Sequence, residues 1–206
     1  MGRRSRHTPE QLRELAIQST RQIIAEVGLA GVSAREIARR IGYSPGTLYN
    51  LFDSLDDLVL EVEAALLDKL DRRLAELPAE GSQRHQLGQI AHAYLSFSRE
   101  HPKLWNLIAQ HEIPPNSDVP PWYSERLERV VDRIERALAG SASPNNSQSL
   151  KRSARVVWAG LHGIASLSTA EKLSSLTHDS AYVMADDFIE TYLAGLQERD
   201  RSGRGL

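Results

Sequence analysis

The sequence specifies an all-α protein of about nine helices, in which a three-helix helix-turn-helix unit precedes a larger helical domain. Three observations carry this expectation. Apolar residues recur at helical spacing almost everywhere, and strict alternation is hardly seen. Turn-forming residues at 28–31, Gly42, 78–81, Pro102, 114–121 and 140–146 cut the chain into segments of helical length. Several segments open on a capping residue followed, three positions on, by a carboxylate or amide.

The first helix opens on Thr8-Pro9-Glu10-Gln11. Thr8 can cap, Pro9 suits the first helical position and Gln11 completes a capping box. Leu12, Leu15, Ala16, Ile23 and Val27 then share one face, and Gly28-Leu29-Ala30-Gly31 ends the run. Ser33 caps a short second helix from Ala34 to Ile41, with Glu36 at the box position and Val32 and Ile37 spaced as a hydrophobic staple. Gly42 stops it. Ser44 and Pro45 open a third helix ending near Phe52, with Tyr43 and Leu48 as its staple. Ser54 caps a long fourth helix, Asp57 at its box position, that reaches about Leu77. The expected division is a head over residues 1–53, a body over 54–199 and a charged, glycine-bearing tail over 200–206.

At 206 residues with 41% apolar composition the chain can bury a core unaided. It has no cysteine, which excludes disulfides, thiolate metal sites and thiol catalysis. The most apolar uncharged stretch, residues 156–170, carries Ser, Thr and His and is too short for a membrane span, so it reads as a buried helix. Arg3, Arg4 and Arg6 are followed by no apolar run, so no secretory signal is expected and the cytoplasm is the expected location. The formal charge of −2 is unevenly placed. Residues 1–53 hold eight arginines against five carboxylates, a net +3, which leaves −5 on the remainder. A basic head on an acidic body suggests a polyanion partner for the head.

Two short helices joined by a tight glycine turn beside a longer helix form a helix-turn-helix pattern. In such a unit the N-terminal residues of the second short helix face base edges in the major groove. Here they are Pro45, Gly46 and Thr47. Pro and Gly carry little side chain, so a duplex can approach closely. The free N–H groups of the helix start favour a phosphate. Thr47 can donate, accept or touch a thymine methyl. Tyr43 and Tyr49 offer hydroxyls to phosphates, and Arg3, Arg4 and Arg6 form a basic arm suited to phosphates or a narrow minor groove. Ile37, Ala38, Ile41, Leu48 and Phe52 are spaced as the small core.

Residues 31–58, from Gly31-Val32-Ser33 through Gly42-Tyr43-Ser44-Pro45-Gly46-Thr47-Leu48-Tyr49 to Phe52 and Leu58, resemble the signature of the tetracycline-repressor (TetR) family. The resemblance covers residues 9 to about 60. It implies an all-α homodimer whose first three helices bind DNA and whose remaining helices bind a ligand and pair the subunits. By that match Ser33, Arg35 and Ser44 meet phosphates or bases, and Pro45, Gly46, Thr47, Tyr49 and Asn50 form the DNA face of the recognition helix. Leu55 stands where the family usually has a phosphate-contacting Lys, and Leu51 where it usually has His, so the arginine arm is expected to matter more here.

Trp158-Ala159-Gly160-Leu161-His162-Gly163 is similar to the Trp–His–Gly motif of one group of TetR C-terminal domains, on a helix that in relatives borders both ligand cavity and dimer interface. Gly160 and Gly163 remove side chains from a helix and let another approach closely. Gly160, Gly163, Leu167, Tyr182, Phe188, Tyr192 and Leu196 are therefore the expected dimer contacts. Intramolecular packing explains the same pattern without a partner. Candidate ligand contacts are the aromatics Tyr94, Phe97, Trp105, Trp122 and Trp158, with His92, His111, Glu112 and His162 as polar groups. Aromatics and lone histidines at helical spacing also fill cores.

His111-Glu112 lacks the second histidine of a zinc-protease motif, and no phosphate loop or nucleophile elbow occurs. No enzyme activity, metal or cofactor is therefore expected. The resulting expectation is a ligand-responsive regulator, a repressor by family analogy, that binds a palindromic operator in double-stranded DNA as a homodimer and is released by an apolar or aromatic small molecule. The alternatives are a ligand-independent DNA organiser and an all-α binding module with an unused helix-turn-helix.

Overall fold

The chain is described here by a computed structural model covering residues 7–111, 119–139 and 147–203. Among these residues stand nine α-helices and no strand: α1 (Pro9–Val27), α2 (Ala34–Ile41), α3 (Pro45–Tyr49), α4 (Leu55–Ala75), α5 (Gln83–Glu100), α6 (Pro102–Gln110), α7 (Pro121–Ala139), α8 (Ser147–Thr169) and α9 (Ala181–Gly203). Short 3-10 turns follow α1 and α8. α9 runs on to Gly203, into the segment expected as tail. No described helix is long and apolar enough to cross a membrane.

The start signals act as their chemistry requires. Thr8 accepts from the Gln11 N–H while Gln11 Oε1 accepts from the Thr8 N–H, a complete capping box. Ser33 accepts from the Glu36 N–H at 3.2 Å, and Ser54 from the Asp57 N–H at 3.0 Å. Ser44 differs: it occupies the N-cap of α3 but pairs its hydroxyl with Thr47 Oγ1 at 3.0 Å instead of capping the backbone. Gly42 ends α2 at φ 77°, a left-handed conformation that glycine enters without strain. α3 stops at Tyr49, three residues before Phe52, because the N–H groups of Leu51 and Phe52 both close on the Leu48 carbonyl. Val27, expected on the buried face, is 62% exposed. The 3-10 turn that follows at once, Leu29–Gly31, meets one side of it and leaves the other in solvent.

The chain forms two compact units. The first comprises residues up to Leu66 together with Lys103–Ser124. Its core is Ala16, Ile23, Ile37, Ala38, Leu48, Phe52 and Leu58, flanked by Ile17, Val32, Ala34, Ile41, Leu51 and Leu55. The three short-range helices and the start of α4 thus share one apolar centre. Arg13 fastens its rim: the guanidinium lies 4.3 Å from the Phe52 ring centroid, donates to the Leu51 carbonyl and pairs with Glu61, each at 2.6 Å.

The second unit comprises Leu67–Pro102 and Glu125–Leu206. α5, α8 and α9 pack mutually, with Leu87, Ala91, Leu95, Val157, Leu161, Ala165, Ala185 and Ile189 buried. α7 lies along α4 through an ionic ladder: Asp68 receives Arg126 at 3.2 Å and Arg129 at 2.6 Å, and Asp71 receives Arg133 at 2.7 Å.

Candidate functional site

The helix-turn-helix exposes one continuous row. Ser33, Arg35, Ser44, Pro45, Gly46, Tyr49 and Asn50 are exposed, and Tyr43 and Thr47 are half-buried. Arg3, Arg4 and Arg6 lie outside the described residues. Several polar members keep a hydrogen to give. Ser33 Oγ accepts the Glu36 N–H, so its own hydrogen points to no described group. The Ser44–Thr47 pair uses one of its two hydroxyl hydrogens internally and leaves the other. Tyr49 is 59% exposed, so its ring and hydroxyl are open to a partner.

The arginines of α2 divide into two kinds. Arg39 makes two hydrogen bonds to Glu36, at 2.7 and 2.8 Å. Arg40 bridges Glu36 at 2.8 Å and Glu26 at 2.7 Å. Hydrogen bonds from both guanidiniums hold the Glu36 carboxyl down at about 2, and the same bonds raise both arginines. Among the described residues Arg35 pairs with no carboxylate. The positive charge of the head is therefore presented chiefly by Arg35 on this helix, a distinction that counting arginines misses.

The ligand candidates fall into both units. In the second, Tyr94, Trp158 and His162 come together. Tyr94 is buried, and its hydroxyl lies 3.1 Å from His162 Nδ1 and accepts from the Trp158 indole N–H. The hydroxyl thus ties the Trp158 indole to the His162 ring. Burial holds the His162 pKa below its ordinary value, which favours the neutral ring. Burial also drives the Tyr94 hydroxyl well above its usual range. Trp158 stacks on His162 with ring centroids 5.3 Å apart. Phe97 is buried and meets His101 edge-on. His92 is half-exposed, bonds Asp186 at 2.9 Å, and lines an open cleft of about 720 Å³ with Gln89, His85 and Ile189. None of the other ligand candidates lines that cleft.

Trp105, His111 and Trp122 belong to the first unit. Trp105 is fully buried. Both nitrogens of His111 face carboxylates: Nδ1 lies 2.8 Å from Glu63 and Nε2 3.3 Å from Asp56. Tyr123 donates to the other oxygen of Glu63 at 2.7 Å. Sequence reasoning missed Glu63, Asp56 and Tyr123. The signal was there for Glu63, which stands on the apolar stripe of α4 between Val59 and Leu66. Glu112 lies outside the described residues. Among the described residues no group of three His, Asp or Glu is arranged to hold a metal.

The expected pairing residues are all incompletely buried within the chain: Gly163 is exposed, and Gly160, Leu167, Tyr182, Phe188, Tyr192 and Leu196 are half-buried. Val156 and Val183 beside them are 45% and 54% exposed. Gly160 has an intramolecular tenant, because the tip of the Phe188 ring lies 2.4 Å from where a Cβ would stand. Gly163 faces open space. A shallow, mainly apolar groove runs along α9 between Phe188, Tyr192, Gly195 and Leu196.

Comparison with known proteins gives these features a family. The sequence profile of bacterial regulatory proteins of the tetR family matches residues 16–62, and that of the tetracyclin repressor-like C-terminal domain matches residues 87–192. An uncharacterised HTH-type transcriptional regulator of Mycobacterium tuberculosis is 22% identical over 191 residues, 93% of this chain and 84% of its own length. A protein of unknown function from Rhodococcus sp. RHA1 superposes with a TM-score of 0.70 at 22% identity, over 94% of this chain and 98% of its own. The transcriptional regulator FadR from Bacillus subtilis, solved in complex with stearoyl-CoA, superposes with a TM-score of 0.65 at 14% identity, over 88% and 98% of the two chains. The chain belongs to the TetR family of bacterial transcriptional regulators, with a DNA-binding helix-turn-helix and a tetracyclin repressor-like C-terminal domain.

Proposed function

We propose that the protein is a cytoplasmic homodimeric repressor that binds a palindromic operator and leaves it when a small, largely apolar molecule occupies the C-terminal domain. The observation that carries the reading is the solvent-facing row from Ser33 to Asn50, which presents hydroxyls together with the Arg35 guanidinium, paired with no described carboxylate. Two-fold pairing through α8 and α9 covers the apolar residues around Gly163 and the α9 groove. It presents two identical recognition helices, which a palindrome matches. The functional division then falls after residue 53, with the DNA head before it and the effector and pairing body after it.

The effector reading rests on the Tyr94–Trp158–His162 cluster. Trp158 and His162 are half-buried, so a ligand can reach a flat aromatic surface with an imidazole at its edge, a combination suited to an apolar body carrying one polar group. The complex of FadR with stearoyl-CoA makes acyl thioesters the first probe. Release must come from tighter ligand binding by the DNA-incompetent state.

The test is selection of bound duplexes from a random pool, followed by titration of the selected complex with stearoyl-CoA, shorter acyl-CoAs and aromatic carboxylates. Enrichment of a palindrome supports the reading, and failure to enrich any duplex overturns it. Release by one probe class, abolished in His162→Ala, supports the effector site. Release that persists unchanged in His162→Ala places the effector elsewhere.

A further inference from the structure

We propose that His7 is a positioning residue for DNA recognition, holding the Tyr43 hydroxyl so that its hydrogen is directed at an operator phosphate. The inference rests on the DNA-binding reading of the Ser33–Asn50 row and adds to it a residue that lies outside the matched family segment, which begins at residue 16.

His7 Nδ1 and Tyr43 Oη are 2.8 Å apart, joining positions 36 residues distant in sequence. The rings stand 6.0 Å apart at 53°. Both backbones are fixed independently. His7 immediately precedes Thr8, whose N–H is bonded to Gln11 and whose hydroxyl accepts from Gln11, so the side chain of residue 7 leaves from a rigid point. Tyr43 follows the left-handed Gly42, and its N–H is held by the Ala38 carbonyl at 2.9 Å. Neither side chain needs to reach for the other, and the bond costs little extra ordering.

The direction of the bond decides its function. A tyrosine hydroxyl has one hydrogen, and a phosphate oxygen can only accept. If Tyr43 gives its hydrogen to His7, nothing is left for a phosphate. If His7 donates from Nδ1–H, the tyrosine oxygen is the acceptor and its hydrogen is free to turn outward. Tyr43 lies two residues before Pro45, at the start of the recognition helix, where a backbone phosphate sets the register of that helix in the groove. The chain of donation therefore runs His7 to Tyr43 to phosphate, and DNA selects the Nδ1–H form of His7. Polarisation along such a chain strengthens the terminal bond.

The alternative role, a bond that only ties α1 to the turn after α2, predicts an effect on stability and none on DNA affinity. The experiment is a double-mutant cycle on affinity for a duplex selected by the wild-type protein, using full-length His7→Ala, Tyr43→Phe and the double variant, with thermal unfolding of each in parallel. Tyr43→Phe weakens binding about three- to tenfold, the range of one net hydrogen bond. His7→Ala weakens it by a similar factor, the double variant loses no more than either alone, and His7→Asn, which keeps an N–H donor near the Nδ1 position, restores most of the affinity. Wild-type affinity in His7→Ala with weakened Tyr43→Phe overturns the role of His7 and leaves the phosphate contact standing. Wild-type affinity in Tyr43→Phe overturns both. Losses that add fully in the double variant mean that His7 does not act through Tyr43 and overturn its positioning role, and losses that follow the unfolding midpoints reduce the pair to a structural tie.

Discussion

His111 Nδ1 lies 2.8 Å from Glu63 Oε1, with only 5% and 3% of the two side chains exposed. A buried carboxylate on a helix that otherwise presents Val59, Val62 and Leu66 to the core is destabilising unless its oxygens are taken. Both are: His111 on one, Tyr123 on the other. The cluster joins α4 to the residue after α6 and to the first turn of α7. Glu63→Ala removes the common acceptor and strands two buried donors, so it is expected to destabilise the protein by about 3 kcal/mol, as breaking one side of a buried pair does. Chemical denaturation measures it, and a loss below about 0.5 kcal/mol, the scale of an ordinary surface change, contradicts the pairing.

The same histidine gives that stability a pH dependence. Hydrogen bonding to Glu63, with its charge and with Asp56 behind it, raises the His111 pKa above its ordinary value. The folded state therefore binds the proton more tightly than the unfolded chain. The stabilisation is complete below the unfolded value of roughly 6.5 and disappears as pH rises through the folded value. The stability gap between wild type and His111→Gln should be widest below roughly pH 6.5 and close as pH rises through the folded value. A gap that is constant with pH means His111 is neutral in the fold.

His162 should show the opposite sign. Burial lowers its pKa, so the unfolded chain binds the proton more tightly. Its neutral form costs nothing above roughly pH 6.5, and stability falls as pH drops through that value. Tyr94→Phe removes the hydroxyl that bonds His162 Nδ1 and accepts the Trp158 N–H. It is expected to lower stability by about 1–3 kcal/mol at neutral pH. Direct NMR titration of the imidazoles separates the two residues, and His162 titrating above His111 contradicts both assignments.

Much of this molecule was legible because its signals are local. Thr8, Ser33 and Ser54 cap helices within three residues of themselves, and Ile37, Ala38, Leu48, Phe52 and Leu58 fall on faces that the helical period fixes. What was not legible depends on partners far along the chain. Arg40 counts toward the basic charge of the head until Glu26, fourteen residues away, takes it. His111 looks like a ligand group until Glu63 and Asp56 occupy both nitrogens, from 48 and 55 residues away. Gly160 and Gly163 look equivalent in the sequence, and only the fold places Phe188 against one of them.

That difference separates folding from pairing. A side chain at Gly160 forces the Phe188 ring to move, so Gly160→Ala is expected to lower stability. A side chain at Gly163 meets nothing within 4 Å in its own chain. Gly163→Arg should therefore leave each chain folded and, by placing a bulky charge in the apolar face, give a monomer. Sedimentation with circular dichroism reads both properties. A folded Gly163→Arg dimer contradicts pairing through this face.

The α2 arginines offer the sharpest test of the DNA face. Arg35 pairs with no described carboxylate and stands beside Ser33, whereas Arg39 is held by two bonds to Glu36. A phosphate contact releases counterions, and each one adds about 0.9 to the slope of log affinity against log salt. Arg35→Ala should flatten that slope by about one unit and weaken binding to all duplexes alike. Arg39→Ala should leave the slope nearly unchanged, because its charge is already neutralised within the protein. Thr47→Ala, by contrast, should leave the slope intact and relax base preference at one position of each half-site, by about 1–3 kcal/mol at most. The three variants thus move different observables on one duplex. If Arg39→Ala flattens the slope as much as Arg35→Ala, Glu36 releases Arg39 when DNA binds, and the division of the arginines seen in the free protein does not survive in the complex.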